Sequence, residues 1–401
     1  MKEPSKDSVE LAWQLLKRSE DLYLTDPDGA IANAQHVIDT AVRYDNVPLL
    51  AQGHMEFGRA LRHKADLNGA EEHFRTAVSL FESIADELNL PKALQGVGTI
   101  LSATGRLEEA SKMFSRALPM ARAANDPVTV QRLLNSWGIV YIRTGNYQLA
   151  LKAFEECLDS LVKYPDLHLE AMVYQNMGGI FQRNGDYTIA NGNFRRSLDI
   201  SRAVKNDRQS ASCLIFLGDT ATEEKKYDEA KRYLRESLAI AQQHGYRDIQ
   251  SHALLSLAET IGAAGEPNKS IPYLLEARLL MQEDNNKVNL RKVEHALGTS
   301  FMDLGQLDNA TSHVENSLAL AREIGSPLML YESNLLASHL ATKKLDYQRA
   351  NEYLHEALRQ HQILFSESNT RAVREMELRM AIEARNREET RTGLIETQKM
   401  D

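Results

Sequence analysis

The spacing of apolar residues predicts paired helices along most of the chain. In the segment 171–210, small or apolar residues recur at intervals of three and four, at Met177, Gly178 and Phe181 and then at Tyr187, Ala190, Phe194 and Leu198. This spacing gives each of two helices one buried stripe. Gly185 separates the stretches, and glycine accepts the left-handed conformation that ends many helices. The segment therefore predicts a helical hairpin.

The hairpin pattern recurs every forty residues. One position is small throughout, at Gly58, Gly98, Gly138, Gly178, Gly218, Ala258, Gly298 and Ser338. A second, twelve residues later, holds Ala70, Ala110, Ala150, Ala190, Ala230, Ser270, Ala310 and Ala350. A large residue follows four positions on, for example Phe154 or Phe194, and we expect it to pack where the small residue lets two helices approach. Lys64, Lys225 and Leu345 replace the turn glycine in three repeats. Self-similarity at this period indicates a solenoid.

The repeat resembles the tetratricopeptide repeat in its forty-residue form. The matching residues run from Trp137 to Leu158 and read WGIVYIRTGNYQLALKAFEECL. This resemblance implies an all-α fold, a right-handed superhelix (α-solenoid) of helical hairpins. Because Ala30 lies forty residues before Ala70, the pattern extends to a degenerate first repeat. We therefore predict nine hairpins over residues 1–360.

Residues 361–401 depart from the repeat pattern. They contain no proline, their one glycine is Gly393, and charged residues of both signs alternate along them. A thin apolar stripe on a charged helix is typical of coiled-coil and signalling helices. We predict one long C-terminal helix and leave two roles open. It caps the array, or it forms a homodimer or couples the array to an output domain.

Composition limits the partners and the compartment. The 401 residues carry a net charge of −9, which argues against nonspecific binding to nucleic acid because phosphates need a basic face. The N-terminal residues are polar, and no stretch is apolar for long enough to cross a membrane. Two cysteines, Cys157 and Cys213, do not make a disulfide framework. We expect a cytoplasmic protein that binds neither nucleic acid nor membrane.

The chain contains none of the short motifs that mark common catalytic sites. A phosphate-binding loop, an HExxH metal pair, a CxxC pair and a GxSxG elbow are all absent from the sequence. We therefore predict no catalytic residues, no metal site and no cofactor. A catalytic output domain, such as a histidine kinase or a diguanylate cyclase, could follow in a longer chain.

The resemblance implies that the first helix of each hairpin lines a concave groove. Candidate groove residues in the front half are Arg59, Arg62, Arg132, Asn135, Arg143, Gln175, Asn176 and Arg183. Guanidinium groups hold carboxylates by two-point contacts, so the front half favours an acidic protein or peptide. The alternative is that these arginines are solvated or paired with neighbouring acids. Equivalent rear positions are apolar and mildly acidic, namely Ile215, Asp219, Thr222, Leu255, Glu259, Gly262, His295, Thr299 and Met302.

Together these features predict a non-catalytic scaffold for protein–protein interaction. Repeats of this type followed by a charged helix resemble the sensor regions of bacterial signalling proteins. We therefore expect the regulatory part of such a protein, binding a protein or peptide partner in its groove. The alternative is a free-standing adaptor with no output domain.

Overall fold

The computed structural model describes residues 6–22, 26–284 and 286–364. Within these ranges it contains eighteen helices and no strand. The helices are α1 (Lys6–Leu22), α2 (Pro27–Arg43), α3 (Val47–His63), α4 (Leu67–Ser83), α5 (Leu90–Ala103), α6 (Leu107–Ala123), α7 (Pro127–Arg143), α8 (Tyr147–Lys163), α9 (Leu167–Arg183), α10 (Tyr187–Ala203), α11 (Asp207–Glu223), α12 (Tyr227–His244), α13 (Arg247–Ala263), α14 (Pro267–Glu283), α15 (Lys287–Asp303), α16 (Leu307–Ile324), α17 (Pro327–Lys343) and α18 (Tyr347–Leu364). Consecutive helices pair into nine hairpins, which confirms the all-α prediction. Beyond Leu364, the predicted C-terminal helix lies outside the described residues.

The chain divides into two compact units between Pro165 and Asp166. The first unit contains α1 to α8 and the second contains α9 to α18. In each unit, the two helices of a hairpin pack against each other and against the next hairpin. Each unit is thus a stack of helical hairpins.

Left-handed residues mark the turns at intervals of twenty. They are Asp45, Ala65, Ala85, Gly105, Asn125, Gly145, Gly185, Lys205, Lys225, Gly245, Gly265, Gly305, Gly325 and Leu345, all with φ between 50° and 86°. The series is interrupted at Pro165, because the proline ring holds φ near about −65°. Tyr164, the cap residue directly after α8, has φ −127° and ψ 81°. The division between the two units falls at this interruption.

The turn of the second hairpin corrects one detail of the sequence prediction. Its left-handed residue is Ala65, with φ 61°, whereas Lys64 closes α3 with φ −80°. The prediction that Lys64 replaces the turn glycine is therefore wrong by one residue, because the left-handed position follows the helix cap. Lys225 and Leu345 do take the left-handed conformation, with φ 61° and 62°.

The small residues of the repeat lie where large side chains cross the hairpin. A Cβ atom placed on Gly138 would lie 2.4 Å from Phe154 Cε1, and one on Gly178 would lie 2.5 Å from Phe194 Cε1. Both phenylalanine side chains are fully buried. This geometry confirms the expected close approach, since real Cβ contacts below 3.0 Å essentially do not occur.

The two helices of a hairpin have different surroundings. Within each unit, the first helices of adjacent hairpins contact one another, as α11 contacts α13, whereas no such contact joins second helices in the described residues. The difference shows in burial, since α13 has ten buried residues and α14 has four. The first helices thus form the more closely packed layer of each unit.

Both cysteines are buried free thiols that belong to this packing. Cys157 Sγ donates to the Gln131 carbonyl oxygen at 3.4 Å. The same repeat position holds Ser197 and Ser237, whose hydroxyls donate to carbonyl oxygens at 2.7 Å and 2.8 Å. Cys157 therefore takes part in a contact between the two helices of its hairpin, and the same contact recurs in the next two hairpins.

Adjacent glycines of α9 provide a matched test of the crossing. Gly178→Ala is expected to destabilise its hairpin by about 1–3 kcal/mol, because the new methyl group displaces the buried Phe194 ring. A methyl group on Gly179 would meet no atom within 4 Å, so Gly179→Ala is expected to stabilise by up to about 1 kcal/mol through helix propensity. Hydrogen exchange of the α9 and α10 amides measures both effects locally. Changes of the same sign in the two variants would contradict this packing.

Candidate functional site

Most of the predicted front residues already have partners inside the protein. Arg59 Nη1 donates to Glu56 Oε1 at 2.6 Å, and the Glu56 side chain is 0% exposed. Arg143 Nη1 donates to the Ser102 carbonyl oxygen. These two guanidinium groups therefore satisfy buried acceptors of their own unit.

The amides of the front set are also placed within the fold. Asn135 is buried, with 5% of its surface exposed, and Asn176 is half-buried. Gln175 Oε1 accepts from Gln209 Nε2 at 2.7 Å and from Cys213 Sγ at 3.3 Å. The Gln175 amide therefore bridges α9 to α11.

The remaining front arginines are more accessible. Arg132 on α7 and Arg183 on α9 are exposed, and Arg62 on α3 is half-buried. The role of the front residues in binding an acidic partner stays a prediction.

The rear positions converge on a cavity in the second unit. Four first helices, α11, α13, α15 and α17, line a space of about 430 Å³, which lies in the range of ligand pockets. It is lined by Ser212, Ile215, Phe216, Asp219, Ile249, His252, Leu255, Ser256, Glu259, Asn289, Arg291, Lys292, His295 and Glu332. Five of the rear residues named from the sequence are among them, namely Ile215, Asp219, Leu255, Glu259 and His295. We call this space the α11–α17 cavity.

Two other clefts of the second unit have a different character. They lie near the N-terminal ends of α12 and α14, and four of their charged side chains pair with each other. Lys231 lies 3.4 Å from Asp228 and 3.9 Å from Glu266, and Lys269 also pairs with Glu266.

Two carboxyl groups of the cavity have raised pKa values. Burial raises the pKa of Asp219 to about 6, although the Ser256 hydrogen bond and the Lys292 charge oppose the rise. Burial raises the pKa of Glu259 to about 7, and the nearby Asp219 charge adds to the rise. The cavity leaves both side chains reachable from solvent, yet protein atoms surround them and disfavour their charged forms. Glu259 therefore holds its proton to a higher pH than an ordinary glutamate does.

The two histidines of the cavity are held neutral. Burial, together with the Arg291 charge, lowers the pKa of His295 to about 4. Burial and the Lys292 charge lower the pKa of His252. The Asn289 amide nitrogen lies 2.5 Å from His252 Nε2, and it donates to that nitrogen when the ring is neutral. At neutral pH, the positive charge of the cavity thus comes from its arginine and lysine.

Arg291 is a buried cation with incomplete hydrogen bonding. Its side chain is 3% exposed, and its Nη2 pairs with Glu332 Oε2 at 2.8 Å. Within the described residues, Nε and Nη1 of Arg291 have no hydrogen-bond partner, and neither has His295 Nδ1. Leaving buried donors unpaired costs about 1–3 kcal/mol each, so this geometry is unfavourable without a further acceptor.

Glu294, on the same helix, provides a comparison. Its side chain is also 3% exposed, but it accepts from Arg278 Nε at 2.8 Å and from His313 Nδ1 at 2.6 Å. These contacts keep the pKa of Glu294 below its ordinary value in spite of burial. The α15 helix thus carries one compensated buried charge and one, Arg291, that is only partly compensated.

The sequence analysis missed Arg291, Lys292 and Glu332. A signal for Arg291 was present, because its repeat position is otherwise held by buried neutral residues such as Ala171, Ala211 and Ser251. An arginine at a position that the repeat buries indicates an unusual local environment. Glu332 and Lys292 have no comparable signal, because neighbouring positions of the repeat vary freely.

The described residues lack the features of two other kinds of site. They contain no group of three or more His, Cys, Asp or Glu side chains that could hold a metal ion. None of their helices combines the length and the apolar character that a membrane-crossing segment requires.

Comparison with known families identifies the repeat. The family model described as tetratricopeptide repeat matches residues 49–123, 129–203 and 169–243. A search of curated proteins gave no significant sequence match.

Solved structures share the fold at low sequence identity. A Rap protein complexed with competence and sporulation factor has a TM-score of 0.65 and 16% identity, covering 89% of this chain and 99% of that chain. The apo form of the quorum sensor NprR from B. thuringiensis has a TM-score of 0.64 and 16% identity, covering 77% and 87%. A signal transduction ATPase with numerous domains and a tetratricopeptide repeat sensor, from Pyrococcus horikoshii, has a TM-score of 0.62 and 16% identity, covering 90% and 54%. This chain therefore spans about half the length of that ATPase.

The raised pKa values predict how pH affects the stability of the second unit. Because the folded state binds protons on Asp219 and Glu259 more tightly than the unfolded state does, their contribution to stability falls as pH rises from about 4 to about 7. Glu259→Gln removes one of these protons, so its unfolding free energy should decline less with pH than that of the wild type. Urea unfolding at each pH, with hydrogen exchange of the α11 and α13 amides as the local probe, measures this difference in unfolding free energy. Glu315→Gln, on the exposed face of α16, is the control. Parallel pH curves for all three proteins would refute the raised pKa of Glu259.

Proposed function

Because this chain is a tetratricopeptide repeat protein, we propose that it binds a protein or peptide partner in the α11–α17 cavity of its second unit. Solenoids of stacked repeats bind partners on the extended concave surfaces that stacking creates, and the resemblance to tetratricopeptide repeats implies that first helices line that surface. The four helices that line the cavity are all first helices of their hairpins. The proposal concerns binding, and it assigns no reaction to the chain.

The composition of the cavity wall is the observation that carries this proposal. One part of the wall is apolar and includes Ile215, Phe216 and Leu255, whereas another part carries Arg291 and Glu332. Four of the fourteen lining residues are apolar and ten are polar or charged, so the wall combines apolar surface with converging polar groups, which give a binding site its specificity. The unpaired donors of Arg291 add a reason for a partner, because an acceptor on that partner would reduce the cost of burying them.

We further propose that the chain is the regulatory part of a bacterial signalling protein. This proposal is supported by the shared fold of the Rap protein, the quorum sensor NprR and the repeat sensor of the signal transduction ATPase. Of these, the Rap protein is described in complex with competence and sporulation factor. In this chain, partner binding would change the state of an output domain that follows it or that binds to it.

A free-standing adaptor is the alternative to the signalling role. The reading frame that encodes the chain distinguishes the two cases. A continuation beyond Asp401 into a catalytic domain supports the signalling role, whereas a stop codon there excludes an output domain fused at this end.

A pair of serine variants tests the binding proposal. Ser212 lines the cavity and Ser312 is exposed on α16. Ser212→Trp should fill the cavity and reduce partner recovery at least about tenfold, which corresponds to about 1.4 kcal/mol, whereas Ser312→Trp should leave recovery unchanged. Quantitative mass spectrometry after affinity capture from the native organism compares both variants with the wild type. Circular dichroism first establishes that the variants keep the wild-type helix content.

The comparison between variants decides the outcome. A protein that all three baits recover equally does not occupy the cavity. If every recovered protein behaves in that way, the α11–α17 cavity is not the binding site.

A further inference from the structure

The α11–α17 cavity has more acidic than basic groups. Its lining contains three carboxylates, Asp219, Glu259 and Glu332, and two cations, Arg291 and Lys292. His252 and His295 are neutral at pH 7 because burial lowers the pKa of each ring. With all three acids ionised, the lining therefore carries a net charge of −1.

The ion pair between Arg291 and Glu332 determines where the excess charge lies. Arg291 Nη2 is 2.8 Å from Glu332 Oε2, so these two charges largely cancel. Lys292 is then the one lining cation that remains for both Asp219 and Glu259, and its residue is exposed. The unneutralised charge therefore lies at Asp219 and Glu259, on the neighbouring helices α11 and α13.

A second and independent observation indicates a ligand at this place. The unpaired Nε and Nη1 of Arg291 and the unpaired Nδ1 of His295 belong to lining residues of the same cavity. The Arg291 side chain is only 3% exposed, so bulk solvent has little access to these donors. A ligand that brings its own hydrogen-bond acceptor compensates these groups.

The apolar part of the wall limits the shape of the ligand. Ile215, Phe216, Ile249 and Leu255 come from α11 and α13, the same helices that carry the two acids. A charged group that reaches Asp219 and Glu259 must therefore lie beside aliphatic and aromatic surface. An apolar stem next to the charge gains from this contact.

We propose that the cavity binds a cationic group of the partner, an ammonium or guanidinium on an apolar stem, between the carboxylates of Asp219 and Glu259. This inference rests on the proposed function only in that a partner supplies the cationic group. The chemistry of the cavity does not depend on that function. When the acids are ionised, an anion is disfavoured because it would raise the net negative charge of the lining from one to two. A hydrogen-bond acceptor beside the cation pairs with Arg291 or His295.

Binding of a cation is coupled to loss of protons from the acid pair. The groups whose charges act on the pair are Glu223, Arg291, Lys292 and Glu332, with His252 and His295 neutral beside them. Because the free pKa values are about 6 for Asp219 and about 7 for Glu259, the pair is largely protonated at pH 5.5 and largely ionised at pH 8. A cation binds the ionised pair, so affinity rises with pH over this interval.

Benzamidine is a suitable probe because its amidinium stays charged throughout this interval and its ring provides the apolar stem. Benzamide is the neutral analogue and benzoate is the anionic one. The full chain, labelled at isoleucine methyl groups, reports binding through the NMR signals of Ile215 and Ile249. Benzamidine should shift both signals to saturation at pH 8 and bind at least about tenfold more weakly at pH 5.5.

Two variants and a control connect the binding to the acid pair. Asp219→Asn and Glu259→Gln keep the shape of each side chain but remove its charge. Each should weaken benzamidine binding at pH 8 by about tenfold or more, which corresponds to about 1.4 kcal/mol. Glu315→Gln makes the same chemical change on the exposed face of α16 and should have no effect. Equal binding of benzamidine and benzamide, stronger binding of benzoate, or absence of any shift would overturn the proposal.

Two short peptides separate the sources of the cation. At pH 7, Phe-Ala-Ala-amide carries an N-terminal ammonium because the α-amino pKa is about 7.7–8.0, whereas acetyl-Ala-Arg-Ala-amide has only a guanidinium side chain. Displacement of benzamidine by the first assigns the group to a chain terminus, and displacement by the second assigns it to a side chain. If neither displaces benzamidine, neither an N-terminal ammonium nor an arginine side chain supplies the cation, and that part of the inference fails. Because benzamidine binding is measured without a partner, its result is independent of the partner capture.

Discussion

Six hairpins of this protein depend on the contact between a helical glycine, which has no side chain, and a large side chain that covers it. At Gly138 and Gly178 there is no room for a Cβ atom, because buried phenylalanine rings lie at that distance. Glycine inside a helix costs about 1 kcal/mol relative to alanine, so the dense packing of the crossing must offset that cost. In these hairpins the forty-residue period keeps the contact at the same place, and the neighbouring positions are then free to differ.

The candidate site arises where the repeat departs from its own pattern. At the position of Arg291, other hairpins place Ala171, Ala211 and Ser251 in the core. The arginine therefore brings a charge into a packed layer, where Glu332 compensates it only in part. Asp219 and Glu259, which are reachable from solvent inside the same cavity, have raised pKa values because protein surrounds them. The stability of the repeat thus supports a local arrangement of charges that would be unfavourable in isolation.

Much of the fold could be predicted from the sequence, because the signals for it are periodic. The glycine and alanine positions repeat without insertion, so hairpin number, helix pairing and the close crossings all followed from spacing. Pro165 was not recognised as an interruption. Proline excludes the left-handed conformation that recurs at intervals of twenty residues in this series. Lys64 was misplaced by one residue because helix ends are the least regular part of a periodic signal.

The site was harder to predict because it depends on side chains from four hairpins. Asp219, Glu259 and His295 were placed on the groove face by their repeat positions, but their spacing alone does not reveal the Arg291–Glu332 pair. Several front arginines had a plausible groove position, yet Arg59 neutralises Glu56 and Arg143 caps a carbonyl group of α5. Sequence position gives the face of a helix, whereas the partners of a long side chain depend on its neighbours in space.

The pKa of the Glu259 carboxyl group is the most direct test of whether a cation binds beside Asp219 and Glu259. Carbon-detected NMR titration of the labelled full chain, with and without saturating benzamidine, measures it in both states. We expect a Glu259 pKa of about 7 in the free protein and a clearly lower pKa in the bound protein, because a cation stabilises the ionised carboxylate. A value in the ordinary range for glutamate in the free protein, or no change on binding, would contradict it.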